Sequence, residues 1–154
     1  MTRTDGRGTN RSYLANEENF RVVKQLQSKN LIIPVVGDFT GPKSMRAVGQ
    51  YVRDHGETVT DIYSSTVELI LFPRADRLKA YYENLATLPI DASTTMIRCA
   101  ALNDQNRVLQ EIMTLQSVPE LVKASRAGEI NRMEDLVRLS KCGNPASAQW
   151  GCKR

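Results

Sequence analysis

Apolar residues recur every three or four positions along much of this chain, which is the spacing of one face of a helix. In the first such stretch Phe20, Val23 and Leu26 share a face, and Asn16 precedes them as a candidate N-cap. Helices are predicted on this basis over residues 16–30, 42–55, 65–72, 76–88, 103–113, 117–128 and 133–139.

Three shorter stretches have the composition of strands. Residues 31–36 are an apolar run, residues 58–63 alternate and are rich in β-branched side chains, and residues 94–101 are a third candidate. Pro34 removes one hydrogen-bond donor, which places the first strand at a bulge or a sheet margin. Strand, helix and strand in succession predict a βαβ unit with parallel strands. The predicted fold class is α/β, with a parallel or mixed sheet of about three strands flanked by helices.

The composition is that of a globular protein. The chain has 154 residues, of which 41% are hydrophobic and 25% charged. Its longest apolar run, residues 31–36, is far shorter than the ~20 residues of a membrane-spanning helix. No apolar segment follows the arginines near the start, so no signal peptide is predicted and a cytoplasmic location is expected. We expect a flexible lead-in over residues 1–12, one domain over 13–141 and a flexible tail over 142–154.

Charge and cysteines exclude some classes of function. The net charge is +4, but the basic excess lies in the first eleven residues and after residue 140, so the body is close to neutral. Nucleic-acid binding needs a basic face rather than basic tails, so the charge argues against it. Cys99, Cys142 and Cys152 form no C-x-x-C pair, which argues against a zinc site and a disulfide framework.

The stretch VVGDFTGPKS nearly matches a phosphate-binding P-loop. Gly37, Lys43 and Ser44 are in register with the G-x-x-x-x-G-K-[ST] formula, but Pro42 replaces its second glycine. Proline has no N–H to offer a phosphate, and the carboxylate of Asp38 would repel one. The nucleotide-triphosphate interpretation is therefore disfavoured.

Polar residues follow two of the predicted strands, where ligands bind in open α/β sheets. The first loop supplies Asp38, Phe39, Thr40, Gly41 and Lys43. The second loop supplies four more candidates, which are Tyr63, Ser64, Ser65 and Thr66. If the two strands are neighbours, these loops surround one crevice that takes a small-molecule substrate.

Each of these residues also has a structural interpretation. Asp38 or Thr40 can cap the helix predicted from Pro42. Ser65 and Glu68 match the S-x-x-E capping box, and His55 is placed to cap the end of a helix. The sequence contains no recognised catalytic triad or metal-binding motif, so these alternatives stay open.

Several motifs resemble one known family. The block V-G-D-F-x-G-P-K is followed by H-G-x-T-V and then by Y-x-S-x-V-E. Together with NRSYLANEENF and LPIDASTTMIR, these stretches are similar to the carboxyl-terminal half of a poorly characterised, mostly bacterial family. Its members are usually labelled S-adenosylmethionine-dependent methyltransferases or methyltransferase-like. The similarity covers roughly residues 8–101, and the closing segment AGEINRMEDLVRLSK is also similar.

The resemblance implies a class I methyltransferase-like, partial Rossmann-like fold, with VVGDF and TVTDIY as its fourth and fifth strands. It also implies that the half holding S-adenosylmethionine lies upstream of this sequence, so the chain alone is expected to have little or no catalysis. If another chain supplied the half that binds S-adenosylmethionine, Asp38 and Tyr63 would be the catalytic candidates. Glu68 would then be among the substrate-binding candidates. Members commonly have asparagine at the position of Thr66 and glutamine at the position of Leu69, so this sequence departs from the family's pattern at both positions.

Two other functions compete with this hypothesis. A sheet that lacks neighbouring strands exposes an edge and an apolar face, which predicts a protein partner or self-association. The near-P-loop and the basic tails keep nucleotide or nucleic-acid binding as a further alternative. Whether the chain is an enzyme is open at this point.

Overall fold

The computed structural model describes residues 7–10, 12–103 and 109–142. The chain divides into two compact units, Met1–Val36 and Gly37–Arg154. In the first unit, helix α1 spans Glu17–Ser28, and the side chain of Asn16 accepts a hydrogen bond from the backbone N–H of Asn19 at 2.8 Å. Asn30 follows the helix with a φ of 54°, a left-handed conformation that asparagine tolerates well. The first predicted helix and its cap are confirmed.

The strand predicted over residues 31–36 is wrong. These residues lie outside every described helix and strand, and the five apolar side chains among them are exposed. A strand exists only where a neighbour pairs with its backbone, and no described strand pairs with this segment. The resemblance-based assignment of VVGDF as a strand and the βαβ unit starting at residue 31 are therefore also wrong.

The second unit contains the remaining elements of secondary structure. In chain order they are α2 (Ser44–Asp54), β1 (Asp61–Ser65), α3 (Val67–Leu71), α4 (Ala75–Leu85), β2 (Thr95–Asn103), β3 (Leu109–Ser117), α5 (Val118–Arg126), α6 (Met133–Leu139) and β4 (Lys141–Cys142).

The sheet is mixed, and its strands lie in the order β1-β2-β3-β4. Strands β1 and β2 are parallel, whereas β3 is antiparallel to both β2 and β4. Three strands are of full length and β4 has two residues, so the predicted α/β class with a sheet of about three strands is confirmed. The parallel connection runs from β1 through α3 and α4 to β2.

The helix predicted over residues 103–113 is wrong over its described part. Residues 109–113 belong to β3, which pairs with β2 from Asn103 opposite Leu109 to Thr95 opposite Ser117. Apolar residues at helical spacing favour a helix here, but the pairing of two nine-residue strands stabilises the strand more. Residues 104–108 of that prediction lie outside the described residues.

The other helices match their predictions in type and position. Ser117 caps α5 by accepting from the N–H of Glu120, and α6 begins and ends where it was predicted. Gly128 follows α5 with a φ of 72°, the conformation typical of a glycine that ends a helix.

Helices cover one face of the sheet. Met96, Arg98 and Ala100 alternate along β2 and are fully buried on that face. Met96 and Ala100 lie in the hydrophobic core with Leu85 and Leu121. Residues of opposite parity, such as Tyr63 on β1, are on the other face.

Candidate functional site

The loop over residues 37–44 has a defined internal structure. The Asp38 side chain accepts hydrogen bonds from the backbone N–H and the hydroxyl of Thr40, both at 2.8 Å. The Ser44 hydroxyl donates to the Asp38 carbonyl at 2.7 Å. A Cβ added to Gly37 would lie 2.3 Å from the Cβ of Ser44, so the loop closes on itself where only glycine fits.

Arg77 of α4 binds the acidic residue of this loop. Its Nη2 lies 2.5 Å from Oδ2 of Asp38, and its Nε donates to the Thr40 hydroxyl at 3.1 Å. The hydrogen bonds from Thr40, and then the charge of Arg77, hold the pKa of the Asp38 carboxyl below its usual value. A carboxylate stabilised in this way is a weak base, so Asp38 is better suited to holding the loop than to accepting a proton.

Asn84 of α4 fixes the other half of the loop. Its side-chain amide donates to the carbonyls of Phe39 at 2.9 Å and Gly41 at 2.8 Å, while its oxygen accepts from Arg46 at 3.3 Å. The Phe39 ring also meets the Tyr81 ring edge-on, with centroids 6.4 Å apart. Lys43 precedes α2 with an exposed side chain and makes no side-chain cap there.

The candidates on β1 and its following turn lie on different sides of the sheet. Tyr63 is two-thirds exposed, whereas the adjacent Ser64 is buried on the helix side. Ser65 has a φ of 48° at the end of β1, and Thr66 occupies the N-cap of α3 without a side-chain cap. The capping box predicted from Ser65 and Glu68 is therefore wrong, because Glu68 turns into the core instead.

Glu68 is the centre of a buried polar cluster. Its Oε1 accepts from Nη1 of Arg98 at 2.9 Å and from the Tyr82 hydroxyl at 3.0 Å. Its Oε2 accepts from the Ser64 hydroxyl at 3.5 Å. Burial raises the pKa of the Glu68 carboxyl, and the charge of Arg98 opposes that rise. The cluster ties β1, α3, α4 and β2 together.

The same cluster continues into β3 and the end of α6. Nη2 of Arg98 donates to the side-chain oxygen of Gln116 at 2.5 Å, and Ser140 donates to that oxygen at 3.4 Å. Within the described part of the chain, Nε of Arg98 and the hydroxyl of Thr114 are buried without a hydrogen-bond partner. These two residues face each other across β2 and β3. The hydrogen-bonded side chains of the cluster connect elements of the fold.

This cluster was not among the predicted contacts, although the sequence contains a signal for it. Arg98 lies within the apolar run MIRCAAL, and Glu68 lies within VELIL. A charged residue in an apolar run is buried only when it is paired. Two opposite charges of this kind in one small domain indicate a buried ion pair.

The structure does not join the two predicted loops by direct bonds. Both contact α4, the first through Arg77 and Asn84 and the second through Tyr82, but no described hydrogen bond or ion pair links residues 37–44 to residues 63–68. A separate cleft of about 190 Å³ lies elsewhere on α4. None of the predicted site residues lines it; its walls are Phe72, Ala75, Leu78, Lys79, Tyr82, Ser125, Ile130 and Asn131.

The described ranges contain neither a cluster of metal-binding side chains nor a helix that could span a membrane. No group of three or more histidine, cysteine or acidic residues there could hold a metal ion. The His55 ring nitrogen Nδ1 lies 2.8 Å from the Tyr51 carbonyl at the end of α2, so the predicted cap is present. Over the same ranges, no helix has both the length and the apolar character needed to cross a membrane.

Residues 1–122 match the model of a protein family described as a domain of unknown function, DUF7790. Among curated proteins, no match was found. The matched region includes residues 31–36, the loop on α4 and the acidic centre of the buried cluster.

Proposed function

This chain belongs to the DUF7790 family, and we propose that it is a non-catalytic interaction domain that self-associates through residues 31–36. One observation carries the proposal. The five apolar side chains of this segment, Leu31, Ile32, Ile33, Val35 and Val36, are between 46% and 102% exposed. Contiguous apolar exposure of this kind marks an interaction surface.

The backbone of the segment is equally available. The N–H of Leu31 donates to the Leu26 carbonyl, but no hydrogen bond engages the N–H groups of Ile32, Ile33, Val35 or Val36 in the described structure. Free backbone donors beside β-branched side chains can pair with another strand. The segment therefore supplies both hydrogen bonds and apolar contacts to a partner.

Pro34 determines which edge of the segment can pair. In a strand, successive residues direct their N–H and C=O groups to opposite edges, so Ile33 and Val35 share one edge and Ile32, Pro34 and Val36 share the other. Proline has no N–H, and its ring favours an extended conformation in the residue before it. Pairing is thus complete only along the edge of Ile33 and Val35.

This edge is complementary to itself when two copies run antiparallel. With Pro34 opposite its counterpart, Ile33 of each copy faces Val35 of the other, and each facing pair exchanges two hydrogen bonds. The result is a two-fold interface with four hydrogen bonds. The edge on which Pro34 lacks an N–H faces away from this interface in both copies. The opposite edge cannot pair in full, which limits growth to a dimer.

Val35→Pro is expected to weaken dimerisation by about 10- to 100-fold. The substitution removes two of the four interface hydrogen bonds, each worth roughly 0.5–1.5 kcal/mol. Val36→Pro is the matched control, because its lost N–H lies on the outer edge, and it should leave dimerisation unchanged. Light scattering over a concentration series measures both variants and the parent chain.

A concentration-independent monomer would contradict the proposed function. Equal weakening by Val35→Pro and Val36→Pro would show that the segment does not pair through one edge. Because residues 31–36 lie outside every helix and strand, neither substitution breaks a described backbone hydrogen bond.

A second candidate is the methyltransferase-like activity implied by the resemblance. It is favoured by the V-G-D-F-x-G-P-K loop, which Arg77 and Asn84 of α4 bind while Lys43 stays exposed. In this candidate the loop and Tyr63 serve the methyl acceptor, with Lys43 attracting an anionic group. In the resembling family the methyl donor is held by a half that this sequence does not contain.

The isolated chain is expected not to bind S-adenosylmethionine. The parts that hold this donor in the resembling family have no counterpart in the sequence. Equilibrium dialysis with labelled S-adenosylmethionine measures this directly, and saturable micromolar binding would refute the expectation. The dimerisation assay above is independent of this result.

A further inference from the structure

The cleft of about 190 Å³ beside α4 has a largely apolar lining. Leu78 in this lining is buried, and Phe72 and Ile130 are partly buried. The Tyr82 ring is 2% exposed, and its hydroxyl donates to Glu68 at 3.0 Å, which holds the ring in place. The apolar surface of the cleft is therefore formed by the fold itself, as is usual for sites that bind small molecules.

Three polar side chains also line the cleft, and they are those of Lys79, Ser125 and Asn131. Within the described part of the chain, no hydrogen bond is formed by the Ser125 hydroxyl or the Lys79 ammonium. Asn131 uses only its amide nitrogen, which donates to the Gly128 carbonyl at 2.9 Å. The cleft thus combines an apolar surface with a few polar groups that a ligand can engage.

The charge of the cleft is positive. None of its eight lining residues is acidic, and Lys79 is the basic residue among them. Glu83 follows Lys79 by one helical turn, but its two carboxylate oxygens accept from Arg126 at 3.0 and 2.7 Å. Those hydrogen bonds lower the pKa of the Glu83 carboxyl more than the charge of Lys79 does. The ammonium of Lys79 is therefore available to an anionic ligand.

We propose that this cleft binds a small carboxylic acid in its ionised form. The apolar group of the acid packs on Phe72, Leu78 and Ile130, and its carboxylate pairs with Lys79. A water-sized group occupies about 30 Å³, so the cleft takes roughly six such groups, the size of one aromatic ring. Clefts that hold drug-sized ligands are larger, at ~300–1,000 Å³. The proposal is independent of the self-association proposed above.

A titration of the full chain with benzoate, followed by NMR of the backbone amides, tests the proposal. Saturable shifts are expected at Ser125 and Asn131, with a Kd of about 0.1–1 mM for a ligand of this size. Benzyl alcohol has the same ring without the charge and should bind about 3-fold more weakly or less. Acetate has the charge without the ring and should leave these amides unshifted.

Two variants with matched controls test the charge and the cavity separately. Lys79→Met should weaken benzoate binding about 3- to 5-fold, the effect of an ion pair at the surface. Lys123→Met should not, because Lys123 is exposed on α5 and does not line the cleft. Ala75→Leu should abolish binding by filling the cleft from the exposed first residue of α4, whereas Ala92→Leu, at an exposed turn, should leave it unchanged.

Four results would overturn the proposal. The first two are the absence of benzoate-induced shifts around the cleft and binding of benzyl alcohol as tight as that of benzoate. The others are equal effects of Lys79→Met and Lys123→Met, and parent-like binding of benzoate by Ala75→Leu. Circular dichroism confirms that each variant is folded.

Discussion

Glu68→Ala is expected to lower the free energy of unfolding by about 3–5 kcal/mol, the largest effect of any single substitution considered. Arg98 is fully buried and has no exposed surface through which water could solvate it. Removing the carboxylate leaves this guanidinium without its counter-charge, and it also leaves the Tyr82 hydroxyl without its acceptor. Denaturant titration of the purified domain measures the change.

Two comparisons distinguish the effect of breaking the buried ion pair from the effect of truncating any side chain. Because an apolar pair of similar volume removes both charges together, Glu68→Leu with Arg98→Met should cost much less than the sum of the single changes. Glu83→Ala breaks an ion pair with Arg126 at the surface and should have a far smaller effect. Additive costs for Glu68 and Arg98 would show that the two residues do not act as a pair.

Asn84→Ala is expected to cost about 1–3 kcal/mol and to loosen the loop over residues 37–44. One buried amide donates to two loop carbonyls, so its loss removes two hydrogen bonds at once and leaves two acceptors unsatisfied. Amide hydrogen exchange should accelerate in the loop, for example at Gly41, whose N–H donates to the Asp38 carbonyl.

Asn131→Ala is the matched control for this change. Its amide also donates to a backbone carbonyl, that of Gly128, but the residue is exposed and water can replace the bond. If Asn84→Ala left the exchange of the loop unchanged, α4 would not be what holds the loop in place.

The helices were predictable because their signals are local. Asn16 caps α1 as its sequence position predicts, Ser117 caps α5 in the same way, and Gly128 follows α5 in the left-handed conformation. A cap is a contact between residues two or three apart, so one sequence contains all the information that specifies it. Ser65 is the exception, because burial of Glu68 with Arg98 outweighs the capping box.

The strands were less predictable because each requires a neighbour. Residues 31–36 have the composition of a strand but are unpaired in the described structure, whereas residues 109–113 have helical spacing and pair with β2. In both cases the deciding term is a contact with residues distant in sequence, which local pattern does not contain.

The candidate site shows the same division between local and distant information. The internal bonds of the loop, such as those from Thr40 to Asp38, follow from the turn chemistry of neighbouring residues. Its attachment to Arg77 and Asn84 depends on how α4 packs and could not be predicted from spacing. The opposite orientation of Tyr63 and Ser64 does follow from strand alternation, so the single crevice predicted for both residues conflicts with their own position in a strand.

Residue-resolved amide exchange across residues 31–36 tests the central claim most directly. In the proposed antiparallel dimer, the N–H groups of Ile33 and Val35 are protected at high protein concentration, while those of Ile32 and Val36 exchange freely. Protection at Ile33 and Val35 should disappear on dilution, as the dimer dissociates. Four amides that exchange alike at every concentration would contradict the claim that this segment joins two copies of the chain.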